Sequence, residues 1–145
     1  MIALIQRVSR AEVRIDERVV GSIEHGIAAL VGVTRTDQAA DAERLLQRLL
    51  GYRIFADASG RMNLDLRAVK GALLLVPQFT LAADTAQGMR PGFSTAAAPE
   101  EARRLFAYLV QRAARAHEPV ATGEFGAHMH LSLINDGPVT FWLET

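Results

Sequence analysis

The sequence predicts an α+β fold, a mostly antiparallel or mixed, barrel-like β-sheet covered by two long helices. Three observations carry that expectation. Residues 1–33 fall into short apolar runs, partly alternating with polar residues and separated by turn signals, the pattern of paired strands. Two later segments, around 38–50 and from Pro99 to His117, place their apolar residues at helical spacing instead. At 145 residues, 50% of them apolar, the chain can bury one core around both kinds of element. No linker, repeat or low-complexity tract divides it, so residues 1–145 are expected to form a single domain.

The first strands are expected at Ile2–Val8, Ala11–Ile15, Val19–Ile23 and Ile27–Val33, separated by Asp16-Glu17 and by His25-Gly26. Val13 and Ile15 alternate with Glu12 and Arg14, as in a strand with one wet face, whereas Ile27-Ala28-Ala29-Leu30-Val31 is nearly unbroken and suits a central position. Thr36 or Asp37 can cap a helix over Gln38–Leu50, in which Ala42, Leu45, Leu46, Leu49 and Leu50 form one stripe before Gly51 stops it. Tyr52–Phe55 reads as a short strand closed by the turn Asp57-Ala58-Ser59-Gly60, and Met62–Lys70 carries no clear period. Ala72–Val76 is a continuous apolar run of the kind buried on both faces. Pro99 suits the first position of the second helix, Glu100 and Glu101 suit its positive end, and Ala102, Leu105, Phe106, Leu109, Val110 and Ala113 make its apolar stripe. Val120–Thr122, Met129–Ile134 and Val139–Leu143 are expected as closing strands, with Asn135-Asp136-Gly137-Pro138 turning between the last two.

Sixteen basic residues balance sixteen acidic ones, which excludes a strongly basic polyphosphate binder and leaves room only for a local patch. Without cysteine there is no disulfide framework, thiolate nucleophile or thiolate metal site. Arg7 and Arg10 arrive too early for a signal peptide, and no apolar run is long enough to span a bilayer, so a soluble, cytoplasmic protein with no membrane association is expected.

Chemistry is expected where the 72–76 strand ends, at Val76-Pro77-Gln78-Phe79-Thr80-Leu81. Pro77 has no N–H, so strand pairing is expected to lapse there and leave the N–H groups of Gln78 and Phe79 free to hold an anion or oxyanion. Thr80 supplies the stretch's only hydroxyl. A threonine nucleophile needs a base, and Asp84 is the nearest group that could fold back to serve; the alternative is that Thr80 hydrogen-bonds a loop. His128 and His130 share one strand face, but a metal needs three or four ligands and no third is near, so exposed or hydrogen-bonded imidazoles are expected and no metal. By default Arg7 is solvated or ion-paired, Gly137-Pro138 is a turn, and Gly88-Met89-Arg90-Pro91-Gly92 is a loop with a weak phosphate signal.

Four segments taken together, Met1–Val8, Gln78–Asp84, Gly88–Pro91 and Asn135–Trp142, resemble the bacterial D-aminoacyl-tRNA deacylases, in order and over nearly the whole chain. The resemblance implies a cytoplasmic homodimer acting on the tRNA 3′ end without metal or organic cofactor. It implies that Gly137-Pro138, with a cis bond, reaches into the partner's active site as a chirality filter: backbone carbonyls there exclude an L side chain, while D-amino acids and glycine pass. Arg7 would brace that motif. The implied reaction is hydrolysis of the ester joining a D-amino acid, or glycine mischarged on tRNA(Ala), to the terminal adenosine. Gln78 and Phe79 would hold the carbonyl oxygen, the adenosine's own 2′-hydroxyl would assist water, and Thr80 would position. Phe125 and Met129 fall where the family surrounds the terminal adenine; otherwise they are core residues.

The chain departs from the family at Pro77, where serine is usual, and at His128 and His130, where aspartate and glutamine are common. A related branch that removes L-alanine from tRNA also has proline there, but Phe79 and Asn135–Thr140 draw this chain to the D-specific group. A non-catalytic module that binds the RNA tip, and the L-alanyl-tRNA deacylase, are the alternative readings.

Overall fold

A computed structural model describes residues 1–86 and 88–145. In chain order its elements are β1 (Ile2–Ile15), β2 (Arg18–Ile23), β3 (Gly26–Gly32), α1 (Ala39–Gly51), β4 (Phe55–Ala56), β5 (Met62–Leu64), β6 (Ala72–Pro77), a 3-10 turn (Phe79–Ala82), α2 (Pro99–Ala116), β7 (Val120–Thr122) and β8 (His130–Glu144). β1 is the spine. One edge pairs with β8 from Ile2↔Glu144 to Arg14↔His130; the other pairs first with β3 and then, past Val8, with β2, all antiparallel. β3 pairs parallel with β6, and β6 parallel with β7. β2 comes back against β7, so the mixed sheet nearly closes into a barrel.

This curl explains why Leu73-Leu74-Leu75-Val76 is unbroken. Leu74 and Val76 face the barrel interior with Val8, Ala11, Val13, Ile23 and Ala28, while Leu73 and Leu75 face the helices with Ile5, Ile27 and Ala29. The apolar stripes of α1 and α2 close over that second face, through Leu45, Leu49, Leu105 and Leu109 among others. No helix among the described residues is long and apolar enough to cross a membrane.

Several expectations are corrected by tertiary pairing. β1 does not break at Ser9-Arg10; it bulges, because β8 offers a continuous partner through that stretch. β8 likewise runs through Asn135–Pro138 instead of turning there. The strand expected at Tyr52–Phe55 begins only at Phe55 and pairs with Met62–Leu64 in a small separate hairpin. Asp37 does not cap α1: its carboxylate accepts from the Met1 amino group and the Thr34 N–H, both at 2.6 Å. Gln38 takes the N-cap position, and its N–H donates to the Asp41 carboxylate at 2.9 Å.

Candidate active site

The strand end differs from expectation in one respect that matters for chemistry. Pairing does not lapse at Pro77: Pro77 still pairs with Val31, and the Gln78 N–H donates to the Val31 carbonyl at 2.7 Å. The parity of the strand explains how β6 accommodates a proline. The Ala72 and Gln78 N–H groups face β3, whereas the Leu73 N–H faces the β7 side, so position 77 also points toward β7. β7 pairs with β6 only as far as Thr122, opposite Leu75, so the missing donor removes no ladder bond.

The Gln78 N–H is therefore not a free donor. Phe79 and Thr80 open the 3-10 turn, and their N–H groups have no hydrogen-bond partner among the described residues, as expected for the first donors of a helical turn. Both residues are exposed, Phe79 by 57%, and the Phe79 ring packs against Phe93 at 5.1 Å between centroids. The Gln78 side-chain amide donates to the Thr80 hydroxyl. Asp84 does not fold back as a base: its carboxylate accepts the Ala86 N–H at 2.9 Å, and its backbone pairs with Gly92. A cavity of about 970 Å³ opens beside Thr80, lined also by Arg35, Thr95 and Trp142, which sequence reasoning did not single out.

Gly137 and Pro138 lie in a bulge of β8. Val8 pairs with Asn135 while Gln6 already pairs with Thr140, so the residues between them loop out from β1. The bulge is held at its neck: the Asn135 side chain donates to the Thr140 hydroxyl and accepts the Val139 N–H, both at 2.9 Å. Arg7 reaches in from β1, its Nε donating to the Asp136 carbonyl at 3.0 Å and its Nη1 to the Ile54 carbonyl at 2.7 Å. The Gly137–Pro138 peptide is cis. Gly137 has φ +136°, and a Cβ there would sit 2.7 Å from Val139 Cγ2 and 3.1 Å from Arg7 Nη2, so only glycine fits without displacement.

These two halves are apart within one chain. Pro77 lies level with Val31 and Ala3, whereas Arg7 lies level with Ile27, about 13 Å along the strands at roughly 3.3 Å per residue. β8 is also on the far edge of β1 from β3 and β6. Met129 sits nearer the strand end: it and Pro77 both pack on Gly123, where a Cβ would meet Met129 Sδ at 2.8 Å and Pro77 Cδ at 3.3 Å. Phe125 packs on Phe106 in the helix-side core, with the Arg103 guanidinium 4.9 Å from its ring centroid. His128 and His130 are exposed with their rings 5.2 Å apart, and no third potential ligand joins them among the described residues.

A nearly closed mixed sheet with a parallel β3–β6–β7 run, donors at the β6 end and a braced bulge in β8 define the class in structural terms. The sequence profile of the family described as D-Tyr-tRNA(Tyr) deacylase matches residues 4–144. The D-aminoacyl-tRNA deacylase of Thioalkalivibrio sulfidiphilus (strain HL-EbGR7) is 63% identical over 144 residues, covering 99% of this chain and 97% of that protein. That of Paraburkholderia phytofirmans (strain DSM 17436 / LMG 22146 / PsJN) is 59% identical over 150 residues, covering 100% and 99%. Among solved structures, the c-Myc DNA Unwinding Element Binding Protein superposes with a TM-score of 0.95 at 32% identity, over 100% of this chain and 99% of that one. A probable eukaryotic D-amino acid tRNA deacylase, at 14% identity and a TM-score of 0.84 over 99% and 98% of the two chains, shares the fold. The chain belongs to the D-Tyr-tRNA(Tyr) deacylase family.

Proposed function

We propose that this protein hydrolyses the ester between a D-amino acid and the 3′-terminal adenosine of tRNA, and accepts glycyl-tRNA(Ala) while rejecting L-aminoacyl-tRNA. The observation that carries the mechanism is the pair of N–H groups at Phe79 and Thr80 without a partner among the described residues, presented at the end of a strand buried from Ala72 to Val76. Donors fixed in this way can stabilise the oxyanion that forms when water adds to the ester carbonyl. Collapse of that adduct breaks the bond to the ribose oxygen and releases the D-amino acid and a free 3′-hydroxyl. No acidic or basic side chain contacts the Thr80 hydroxyl among the described residues, so Thr80 positions, held by Gln78, and the substrate's own 2′-hydroxyl assists the water.

In this reading Gly137 and Pro138 of a second subunit complete the site, with their carbonyls facing the substrate α-carbon. Two features support a homodimer. The halves of the site are too far apart in one chain to meet, and β8 leaves its outer edge without a strand partner among the described residues while exposing Ile134 and Trp142. In the same reading Met129 and Phe125 border the terminal adenine. The tRNA substrate implies action in the cytoplasm, and neither metal nor organic cofactor is called for.

D-tyrosyl-tRNA and L-tyrosyl-tRNA, incubated separately with the enzyme, test this: only the D-amino acid should be released, and equal or absent release from both sinks the proposal. A second reading, nucleic-acid binding without catalysis, draws on Pro77 and on the similarity to the c-Myc DNA Unwinding Element Binding Protein. It requires the parent to be silent and Pro77→Ser to gain activity.

A further inference from the structure

We propose that the groove between the C-terminal half of α2 and α1 binds the phosphodiester backbone of the substrate tRNA, away from its reactive tip. This rests on the deacylase reading above. The groove, about 360 Å³, gathers Arg67, Arg112 and Arg115 around a single carboxylate, Glu43, over a floor of Leu46 and Leu50. That carboxylate is already engaged: Glu43 accepts the Tyr108 hydroxyl at 2.7 Å and pairs with Arg112 Nε at 2.7 Å. The Tyr108 hydrogen bond, followed by Arg112, holds Glu43 below the usual carboxylate range, so it remains ionised, with both partners on Oε1.

Arg67 and Arg115 have no carboxylate within 4.0 Å among the described residues, as is also true of Arg35, Arg48, Arg53, Arg90 and Arg103, but these two converge on one groove. In a chain whose formal charges cancel, three guanidiniums against one carboxylate is a local surplus of two positive charges. Cations in the last turns of a helix also complement its dipole, which accounts in part for Arg115. It does not account for Arg67, which enters the groove from the turn after β5.

Position favours nucleic acid over a free anion. α2 ends beside the start of β6, where His117 Nε2 lies 2.7 Å from the Gly71 carbonyl and the Leu73 N–H donates to the Pro119 carbonyl. The Phe79 and Thr80 donors are at the other end of β6, about 20 Å away at roughly 3.3 Å per residue. At about 3.4 Å per step along a stacked strand, that separation corresponds to about six nucleotide steps, so it is phosphates inward of the terminal adenosine that the groove would meet. Guanidiniums are suited to phosphate oxygens by their planar, bidentate geometry.

The test compares the parent with an Arg67→Gln/Arg115→Gln double variant on two substrates: D-tyrosyl-tRNA, and D-tyrosyl-adenosine, which has the reactive tip but no RNA backbone. With tRNA the variant should raise KM about tenfold or more with kcat unchanged. The slope of log KM against log salt should become shallower by about 1.5, as for two lost phosphate contacts at ~0.7–0.9 each. D-tyrosyl-adenosine hydrolysis should be unaltered, and Arg67→Lys/Arg115→Lys should recover part of the tRNA effect. Equal losses on both substrates, or no change on either, overturn the proposal. Inorganic phosphate binding at the groove by NMR with unaltered tRNA kinetics reassigns it to a small anion and overturns it too. If the parent hydrolyses neither substrate, the deacylase reading fails on its own; anisotropy with uncharged tRNA then still reads the groove, and identical affinities of parent and variant overturn it.

Discussion

The β6 end and the β8 bulge are held in place by opposite means. The Phe79–Thr80 donors follow a strand whose residues Ala72–Val76 are all buried, so their position is fixed by packing on two faces of a sheet. The Gly137-Pro138 bulge sits on an edge strand and is largely exposed; it is fixed by four side-chain hydrogen bonds, from Asn135, Arg7 and Thr140. Packing is non-directional and tolerates exchange of similar volumes, whereas a hydrogen-bonded brace fails when one donor is removed. The proposed oxyanion donors should therefore be lost only with the fold, and the proposed chirality filter should be separable from it.

The largest effect breaks the packed half. Leu75 is fully buried between β3 and β7 on the helix side. Leu75→Ala should cost about 2–5 kcal/mol in chemical denaturation, with hydrolysis falling only as the folded fraction falls. Loss of turnover in a fully folded Leu75→Ala would mean that the strand end is tuned more finely than packing alone provides.

Breaking the braced half should change selectivity first. A Cβ at Gly137 must displace Val139 or Arg7, so Gly137→Ala is expected to reduce the ratio of D- to L-tyrosyl-tRNA hydrolysis at least tenfold, or to block binding. An unchanged ratio, read by release of each amino acid, would remove Gly137 from the filter. Arg7→Ala leaves the Asp136 and Ile54 carbonyls without their guanidinium partner. It should cost about 1–3 kcal/mol and lower discrimination less than Gly137→Ala does; a loss of stability with full discrimination would make Arg7 a fold residue only.

The same contrast separates what was legible in the sequence from what was not. Elements made by repetition could be read directly: the alternation in the second half of β1, the unbroken run of β6 and the stripes of α1 and α2. Features decided by a distant partner could not. Asn135-Asp136-Gly137-Pro138 carries every local signal of a turn, yet β1 pairs on both sides of it and converts it into a bulge. The residue types of the Gln78–Thr80 box pointed to donors, but which N–H groups are free depends on Val31, more than forty positions earlier. Arg67 and Arg115 looked unremarkable because sequence cannot tell a paired arginine from an unpaired one, and the difference lies in where Glu43 already points.

The smallest effect sharpens the comparison, because it concerns the one residue at the strand end that packing alone does not explain. Pro77 lacks a donor where none is needed, since its position faces beyond the last β6–β7 pair and the Gln78 N–H keeps its bond to Val31. A proline that fits the native backbone stabilises by restricting the unfolded chain. Pro77→Ser should therefore lower stability by about 0.4–1 kcal/mol, measured as a shift in the denaturation midpoint at constant slope. It also restores an N–H and a hydroxyl beside Gly123 and Met129, within the contact that Pro77 Cδ now makes. If Phe79 and Thr80 supply the oxyanion donors, their N–H groups are untouched by this change and kcat should stay within about tenfold of the parent's, 1.4 kcal/mol in barrier. A larger gain would place position 77 among the groups that meet the scissile ester, and would move the centre of the site one turn back into the strand.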